Sequence, residues 1–148
     1  MKIALGTDHA GYRFKEIVKA HLEGRGIEVL DFGTHSEDSV DYADFVVPAA
    51  EAVVQGKADY GIVFGGSGNG EAIAANKVKG VRCGVCWNVE SARLTKLHNN
   101  ANVIALGGRM MPPEIVPQIV DTWLDTAFEG GRHIKRLEKV HAVEARQG

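Results

Sequence analysis

Short apolar runs alternate with longer segments of helical periodicity along the whole chain of 148 residues. Apolar runs of this length, bounded by polar or glycine-containing segments, are typical of buried β-strands. The pattern predicts five strands, at residues 2–7, 27–32, 60–64, 81–87 and 102–105.

The segments between these runs have the apolar spacing of amphipathic helices. Residues 12–26 place apolar side chains three and four positions apart, on one face of a helix that ends near a glycine. Residues 41–59 repeat the pattern, although Pro48 should bend or restart that helix. Further helices are predicted to begin near Gly70, near Val89 and after residues 112–113, and a last one to run from about 131 to 145.

Strands that alternate with helices imply βαβ units and a parallel sheet. We therefore predict an α/β fold, a doubly wound, Rossmann-like parallel five-stranded sheet with helices on both faces and a C-terminal helix. The absence of a linker or an internal repeat predicts a single domain over 1–148. The C-terminal helix carries apolar positions at Ile134, Leu137 and Val140, which a second subunit could cover.

Composition narrows the range of partners. The formal net charge is −2 with both signs mixed, so no global field attracts nucleic acid or an anionic membrane surface. No apolar run approaches the ~20 residues of a membrane span, and the N-terminal run is short for a signal sequence. We expect a cytoplasmic protein that has neither a nucleic acid nor a membrane as a partner.

The only cysteines, Cys83 and Cys86, form a C-x-x-C motif that is found in redox and zinc sites. A redox motif normally opens a helix, but these residues lie in a predicted strand, where positions i and i+3 point to opposite faces. The six histidines show no ligand spacing that would complete a zinc site. We expect two inert buried thiols and no metal.

The segment GGSGNGE at 65–71 joins a predicted strand to a predicted helix. Converging backbone N–H groups in such a turn bind a phosphate or a developing oxyanion. The dinucleotide fingerprint G-x-G-x-x-G fails, because Glu71 stands where the third glycine should follow Gly66 and Gly68. Glu71 is either a favourable charge in a helix's first turn or a general base beside an oxyanion hole, and both can hold together.

Other candidate groups follow the remaining strands. Asp8 and His9 end the first strand, where Asp8 could simply cap the next helix. His98 and Asn99 precede the fifth strand, and a histidine there could move protons to and from sugar hydroxyls, although asparagine is also common at helix ends.

Three arginines are candidates for anion binding. Arg109 follows the fifth strand, while Arg132 and Arg136 lie four apart, on one helix face. Arginines on a helix face are usually only solvated, yet three of them together with His9 would suit a phosphate dianion.

These motifs occur in an order that resembles the ribose-5-phosphate isomerase type B family, which includes galactose-6-phosphate isomerase subunits. The matching pieces, which span almost the whole chain, are DHAG at 8–11, GTHS and DY within 33–42, GGSGNGEAIAANK at 65–77, HNNANV at 98–103, GGR at 107–109 and EGGRHIKR at 129–136. The resemblance implies a Rossmann-like homodimer, with an active site between the subunits and a possible pairing of dimers. It also implies aldose–ketose isomerisation through a cis-enediolate, without a metal or organic cofactor.

The resemblance also implies roles for residues. Many family members use a cysteine thiolate at the position of Gly65, whereas a second branch uses the glutamate that appears here as Glu71. Tyr42 would line the site, although the proline that often follows it in the family is Ala43 here. The other implied roles are sugar and phosphate contacts for Asp8 and His9, enediolate stabilisation by Ser67 and the backbone of Gly66, Gly68, Asn69 and Gly70, ring opening by His98 beside Asn99, and phosphate binding by Arg109, Arg132 and Arg136.

The sequence thus predicts a cofactor-free isomerase that interconverts ribose 5-phosphate and ribulose 5-phosphate, with Glu71 as the base. Two other functions stay open at this point. One is an isomerase of another aldose phosphate, such as a tetrose 4-phosphate or allose 6-phosphate. The other is a non-catalytic module that binds a phosphosugar.

Overall fold

The computed structural model describes residues 1–148, which form five strands and six helices. The strands β1 to β5 are Lys2–Thr7, Glu28–Asp31, Tyr60–Gly65, Cys83–Val85 and Val103–Gly107. The helices α1 to α6 are Tyr12–Gly24, Ala43–Val54, Asn69–Asn76, Val89–Asn99, Val116–Asp125 and Arg132–Gln147, and a 3₁₀ turn at Pro113–Ile115 precedes α5.

All four strand pairs are parallel, and the strand order is β2-β1-β3-β5-β4. After β1 the chain adds β2 on one side and then crosses to add β3 on the other. Because such crossovers are right-handed, opposite directions of travel place helices on opposite faces. Helices α1, α4 and α5 pack together on one face and α2 with α3 on the other, so the predicted doubly wound fold is confirmed.

The two faces have different side chains. The large-residue core, beneath α1, α4 and α5, contains Trp123, Phe14, Phe64 and all of the buried Ile and Leu residues. The small-residue core, beneath α2 and α3, consists of eight alanines and four valines. Small side chains let α2 and α3 approach the sheet closely. At Gly6 even a Cβ atom would overlap the Phe45 carbonyl oxygen of α2.

Two predicted elements differ from the structure. Strand β4 covers only Cys83–Val85 of the predicted 81–87, because side chains take the backbone N–H groups at both ends. Asn102 Oδ1 accepts from Arg82 N–H and Ser91 Oγ from Trp87 N–H. Helix α2 continues through Pro48 without restarting. Four buried residues of α2 pack in the small-residue core, which offsets the single helical hydrogen bond that Pro48 removes.

Helix α6 lies near α4 and leaves much of its apolar side exposed. Ile134 is 49% and Val140 54% exposed, which agrees with the predicted apolar stripe. None of the six helices combines the length and the apolarity that crossing a membrane requires.

Candidate active site

The loops after β1, β3 and β5 meet at the carboxyl edge of the sheet. The chain reverses its direction of travel between β1 and β3, and ligands of doubly wound sheets bind at such switch points. Two backbone hydrogen bonds extend the pairing of β3 with β5 into their loops, from Gly108 N–H to Gly65 O (2.7 Å) and from Arg109 N–H to Gly66 O (3.0 Å).

Glycines make this close approach possible. A Cβ atom at Gly107 would lie 2.5 Å from the backbone oxygen of Ser67, and one at Gly108 would lie 2.6 Å from the backbone oxygen of Ala10. Gly68 adopts φ +85°, which a residue with a side chain rarely adopts, and helix α3 begins directly after it. The three loops therefore hold one another through their backbones.

Glu71 lies in the first turn of α3 and points back toward the end of β3. Its side chain fills the volume in which a residue at position 65 would place its own, since a Cβ atom at Gly65 would overlap the Glu71 carboxylate. Gly65 thus leaves the space that the carboxylate occupies. The acidic group is brought beside the turn of backbone N–H groups at 66–70.

The Glu71 carboxylate is almost completely buried, with 4% of the residue exposed. Burial raises its pKa, and the negative charge of Asp8 raises it further, against the N–H groups of Glu71 and Gly68, which lower it. The buried Oε2 atom has no hydrogen-bond partner in the protein. A buried carboxylate with one unpaired oxygen and a raised pKa is typical of a catalytic base rather than of a charge that only favours a helix start.

Asp8 and His9 lie on the first loop of this edge. Asp8 Oδ1 accepts hydrogen bonds from the N–H groups of Ala10 (2.9 Å) and Gly11 (3.1 Å), so it holds the turn before α1 instead of capping the helix itself. His9 Nδ1 accepts a hydrogen bond from Val40 N–H (3.2 Å). A neutral His9 therefore carries its proton on Nε2, which can donate to a ligand.

The rest of this edge is polar or aromatic. Ser67 Oγ accepts from Asn69 N–H (3.2 Å), and both residues are exposed. The Tyr42 ring lies against Gly70, where Cζ is 2.8 Å from the position of a Cβ atom. Arg109 Nη1 lies 3.2 Å from the place that a Cβ atom at Gly66 would occupy. The Arg109 side chain is otherwise exposed. We call Asp8, His9, Tyr42, Arg109 and residues 66–71 the carboxyl-edge cluster.

The remaining predicted site residues lie at the opposite edge. Helix α4 begins after the carboxyl end of β4 and ends before the amino end of β5, so His98 and Asn99 lie near the starts of the strands. Lys96, one turn earlier, packs over the ring of Tyr60, the first residue of β3 (4.3 Å from its centroid). At ~3.3 Å per residue, a strand as long as β3 separates the two edges by ~20 Å.

Helix α6 brings its first residues to the end of α4. Glu129 N–H donates to Leu97 O (2.9 Å), and the rings of His98 and His133 stack with centroids 4.4 Å apart. Arg132 and Arg136 are exposed on the same stretch of α6. We call His98, Asn99, Glu129, Arg132, His133 and Arg136 the amino-edge cluster.

Sequence analysis missed two members of this cluster. Glu129 and His133 lie more than thirty positions from His98, and only the packing of α6 on α4 brings them together. The ligand atoms of His98, Glu129 and His133 lie within 4.8 Å of one another, so these three residues are the group in the fold that could hold a metal ion. The only signal in the sequence for this group of possible metal ligands was the i, i+4 spacing of Glu129 and His133 near the start of a predicted helix.

The two cysteines face opposite sides of the sheet, as predicted. Cys86 lies in the large-residue core and Cys83 packs against the small-residue core. Burial raises the pKa of the Cys86 thiol to about 12 and raises that of Cys83 even further. Both are free thiols and Cys83 is partly exposed, but neither is ionised near neutrality.

A protein-family model described as Ribose/Galactose Isomerase matches residues 3–140. The chain belongs to this family. It is 45% identical over 146 residues to ribose-5-phosphate isomerase B of Escherichia coli (strain K12), a match that covers 99% of this chain and 98% of that protein. The ribose/galactose isomerase family is thus shown over almost the whole length of the chain.

Solved structures of the family have the same fold. Ribose-5-phosphate isomerase B of Clostridium thermocellum superposes with a TM-score of 0.98 at 49% identity, and the match covers 100% of both chains. Ribose-5-phosphate isomerase B of Mycoplasma genitalium, solved with bound ribulose-5-phosphate, superposes with a TM-score of 0.93 at 36% identity and covers 97% of this chain and 96% of that one. The chain is therefore an enzyme, a sugar-phosphate isomerase of the ribose/galactose isomerase family.

Proposed function

We propose that this enzyme interconverts ribose 5-phosphate and ribulose 5-phosphate through a cis-enediolate, with Glu71 as the base and without a cofactor. The observation that carries the proposal is the buried Glu71 carboxylate, which fills the space that Gly65 leaves beside a turn of backbone N–H groups. The same observation supports the assignment of the chain to the branch of the family that uses a glutamate in place of a cysteine.

Isomerisation moves a proton between C1 and C2 of the open-chain sugar. One carboxylate on one face of the enediolate removes the proton from C2 of the aldose and returns it to C1, so a single base serves both halves. Glu71 has a raised pKa and an unpaired Oε2, which suit a group that alternates between its ionised and protonated forms.

A carboxylate is a weak base toward a C–H bond, so stabilisation of the oxyanion has to supply much of the rate. The N–H groups of residues 66–70 and the Ser67 hydroxyl lie beside Glu71 and are the donors for the enediolate oxygens. Removing one donor of this kind typically costs ~10²–10³ in rate.

The complete site needs a second subunit. His98, Asn99, Arg132 and Arg136 lie at the sheet edge opposite Glu71 in one chain. In a homodimer whose partner presents its amino-edge cluster to the carboxyl-edge cluster, His98 opens the sugar ring, with Asn99 beside it. Arg132 and Arg136 then bind the phosphate together with Arg109 and His9. The exposed apolar residues of α6, Ile134 and Val140, are available to be covered in that assembly.

The choice of ribose 5-phosphate rests on relatives that carry this name, and on the Mycoplasma genitalium structure that contains ribulose-5-phosphate. Isomerisation of a tetrose 4-phosphate or of allose 6-phosphate uses the same chemistry and differs in the distance between the base and the arginines. A panel of pentose, hexose and tetrose phosphates assayed for aldose–ketose conversion decides among them. Comparable poor turnover of all of them would contradict the ribose assignment.

The base is tested by Glu71→Gln. Because general base catalysis contributes ~10²–10⁴, we expect kcat to fall by about that factor while the dimer stays folded. Glu90→Gln is the matched control, since Glu90 also lies in the first turn of a helix but is exposed. Near-normal turnover of Glu71→Gln would show that another group is the base.

A second pair of variants tests whether a side chain at position 65 and the Glu71 carboxylate compete for the same volume. Gly65→Cys alone overlaps the Glu71 carboxylate and should inactivate the enzyme. In the background of Glu71→Ala the space is free, and the thiol should restore part of the lost turnover.

Deuterium incorporation at the substrate carbon in deuterated water distinguishes catalysis from phosphosugar binding alone, because a binding module would exchange no proton.

A further inference from the structure

We propose that His98, Glu129 and His133 form a binding site for a first-row divalent transition-metal ion, with Zn²⁺ as its representative. Two imidazoles and one carboxylate are a ligand set that such ions favour, and they leave a fourth position for water or another ligand. Glu129 lies in the loop just before α6, His133 lies in the first turn of α6, and His98 belongs to the end of α4.

The spacing of the three ligand atoms suits a tetrahedral ion. Glu129 Oε2 lies 3.4 Å from His133 Nε2 and 3.7 Å from His98 Nε2, and all three ligand atoms lie within 4.8 Å of one another. Ligands bound ~2.0–2.1 Å from a tetrahedral zinc ion are ~3.4 Å apart. The two distances from Glu129 Oε2 to the histidine nitrogens are longer than ordinary hydrogen bonds, but they are close to the distance between two ligand atoms of one bound zinc ion.

His133 supplies independent support. Its side chain is only 5% exposed, and its Nε2 atom is buried without a hydrogen-bond partner. Buried polar atoms of native proteins nearly always have a partner, so an orphaned ring nitrogen that faces a carboxylate and a second imidazole needs an explanation. A metal ion between the three groups would accept the lone pair of this nitrogen and neutralise the charge of Glu129.

The ligands differ in how firmly they are held. Glu129 is fixed at its backbone by the hydrogen bond to Leu97 O, and His133 by one to Gly130 O (3.1 Å). The two imidazole rings stack at 16°, so their ring planes are nearly parallel, and ligation requires one of them to rotate. His98, with a side chain 34% exposed, is the ring with room to turn its Nε2 atom toward the ion.

Metal binding would have a consequence for catalysis, and this part rests on the proposed function. The ion takes the Nε2 lone pair of His98, the group assigned to ring opening. Zn²⁺ should therefore inhibit turnover in proportion to the occupancy of the site. The metal ion would therefore act as an inhibitor of the enzyme and not as a cofactor of the reaction.

Binding is tested without reference to activity. Titration of the full-length enzyme with Co²⁺ should give the intense visible absorption bands of a tetrahedral nitrogen- and oxygen-ligated ion, and Zn²⁺ should displace them. Calorimetry with Zn²⁺ should give one site per chain. Absence of the tetrahedral Co²⁺ spectrum, or its persistence in a variant that lacks the ligands, would overturn the proposal.

Variants assign the site to these residues. Glu129→Gln should weaken Zn²⁺ binding at least ~10- to 100-fold, since even changes beside a metal ligand cost that much. Glu138→Gln and His141→Gln are matched controls, because both residues are exposed on the same helix and neither belongs to the cluster. Equal weakening by the controls would show that the metal binds elsewhere on α6.

Inhibition is measured separately, so that failure of the two proposals can be distinguished. The Zn²⁺ concentration for half-inhibition, measured relative to each protein's own turnover without metal, should match the dissociation constant in the wild type and rise by the same factor as the dissociation constant in Glu129→Gln. If Zn²⁺ binds with the expected ligand dependence but turnover is unchanged, the metal site stands and the role of His98 in ring opening is wrong.

Discussion

The two clusters are built in different ways. The carboxyl-edge cluster is held by backbone contacts among three glycine-containing loops, and its central carboxylate is 4% exposed. The amino-edge cluster consists of side chains at the end of α4, in the first turns of α6 and on the loop before α6, and Arg132, Arg136 and Asn99 are exposed. In the first, backbone hydrogen bonds fix the loops after β3 and β5 relative to each other, and the base is buried within its own chain. The second is open and depends on whatever covers it.

This difference fits the two roles that we propose for the clusters, proton transfer and phosphate binding. Proton transfer requires the base and the oxyanion donors within a few tenths of an ångström of their working positions, and short backbone-bonded loops provide that. Recognition of a phosphate relies on charge and on long side chains that adapt to the ligand. We therefore expect changes in Glu71 and in the backbone turn beside it to lower kcat, and changes in Arg132 and Arg136 to act mainly on KM.

The largest expected effect tests whether one site uses both clusters from different subunits. Glu71→Gln and His98→Gln homodimers should each be nearly inactive. Mixed 1:1 and reassociated, they should recover roughly one quarter of the wild-type activity, because half of the dimers are mixed and each of these has one intact site. Activity of subunit mixtures after mild dissociation measures this.

A double variant that carries both substitutions in one chain, mixed with wild type, provides the control. If both clusters of a site belonged to the same subunit, the two single variants could not complement each other. Continued inactivity of the mixture, with exchange of subunits verified, would rule out the shared site.

A smaller effect is expected from Gly107→Ala. The new Cβ atom would lie 2.5 Å from the Ser67 backbone oxygen and 2.9 Å from the Ser67 Cα atom, so the loop after β3 would have to shift. A displacement of ~1 Å at catalytic groups can cost ~10² in rate, so we expect kcat to fall by about this factor. In Gly24→Ala, by contrast, the added atom meets nothing within 4 Å. Equal steady-state kinetics for the two variants would contradict a backbone-bonded cluster.

Glu71→Gln should also stabilise the fold. Because the folded-state pKa of Glu71 is raised, the folded chain binds this proton more tightly than the unfolded chain. Stability therefore falls as pH rises from the unfolded glutamate pKa of ~4.3 through the folded value, and glutamine avoids this loss.

Thermal melts of the Gln variant and wild type across pH measure the effect. At pH 7 we expect the variant to melt at a higher temperature than the wild type, by ~2–4 °C for each ~1 kcal/mol that the ionised carboxylate costs a domain of this size. The difference should shrink below pH ~4.3. A Tm for Glu71→Gln that is lower than wild type at pH 7 would mean that the carboxylate is stabilised where it lies.

The smallest expected effect concerns Cys83. Its thiol lies outside both clusters, and burial raises its pKa far above neutrality. Although the Cys83 thiol is near enough to Glu71 for the charge of Glu71 to raise its pKa, it belongs to neither cluster, so Cys83→Ser should keep kcat within ~2-fold of wild type. Thiol alkylation at pH 7 should not inactivate the enzyme either. A loss of activity that follows Cys83 alkylation would indicate a third region that contributes to the site.

The sequence predicted the fold because the continuous apolar runs of its buried strands differ clearly from the three- and four-residue apolar spacing of its helices. Strands β1, β3 and β5 are apolar runs buried on both faces, and α1 has a regular apolar spacing. Strand β4 was predicted too long at both ends. The Asn102 side chain that binds Arg82 N–H lies twenty residues away in the chain and leaves no local signal, whereas Ser91, which binds Trp87 N–H, lies only four residues away.

The site was predicted only in part. Residues that follow strands, such as Asp8 and Ser67, can be placed at the carboxyl edge from the order of elements alone. The position of His98 at the opposite edge also follows from that order, but its pairing with His133 depends on the packing of α6. The burial of Glu71 could not be predicted either, since it results from the volume that Gly65 leaves.

The small-residue core has a consequence for motion. Helix α3, which carries Glu71, has only eight residues and no side-chain cap, and it contributes Ala72 and Ala75 to that core. Helices this short are marginal in isolation, and alanines add little burial energy. We therefore expect α3 to open locally, with fast amide hydrogen exchange, well before the sheet unfolds. The docking of this two-turn helix, rather than the stability of the sheet, would then set the upper temperature at which the enzyme works.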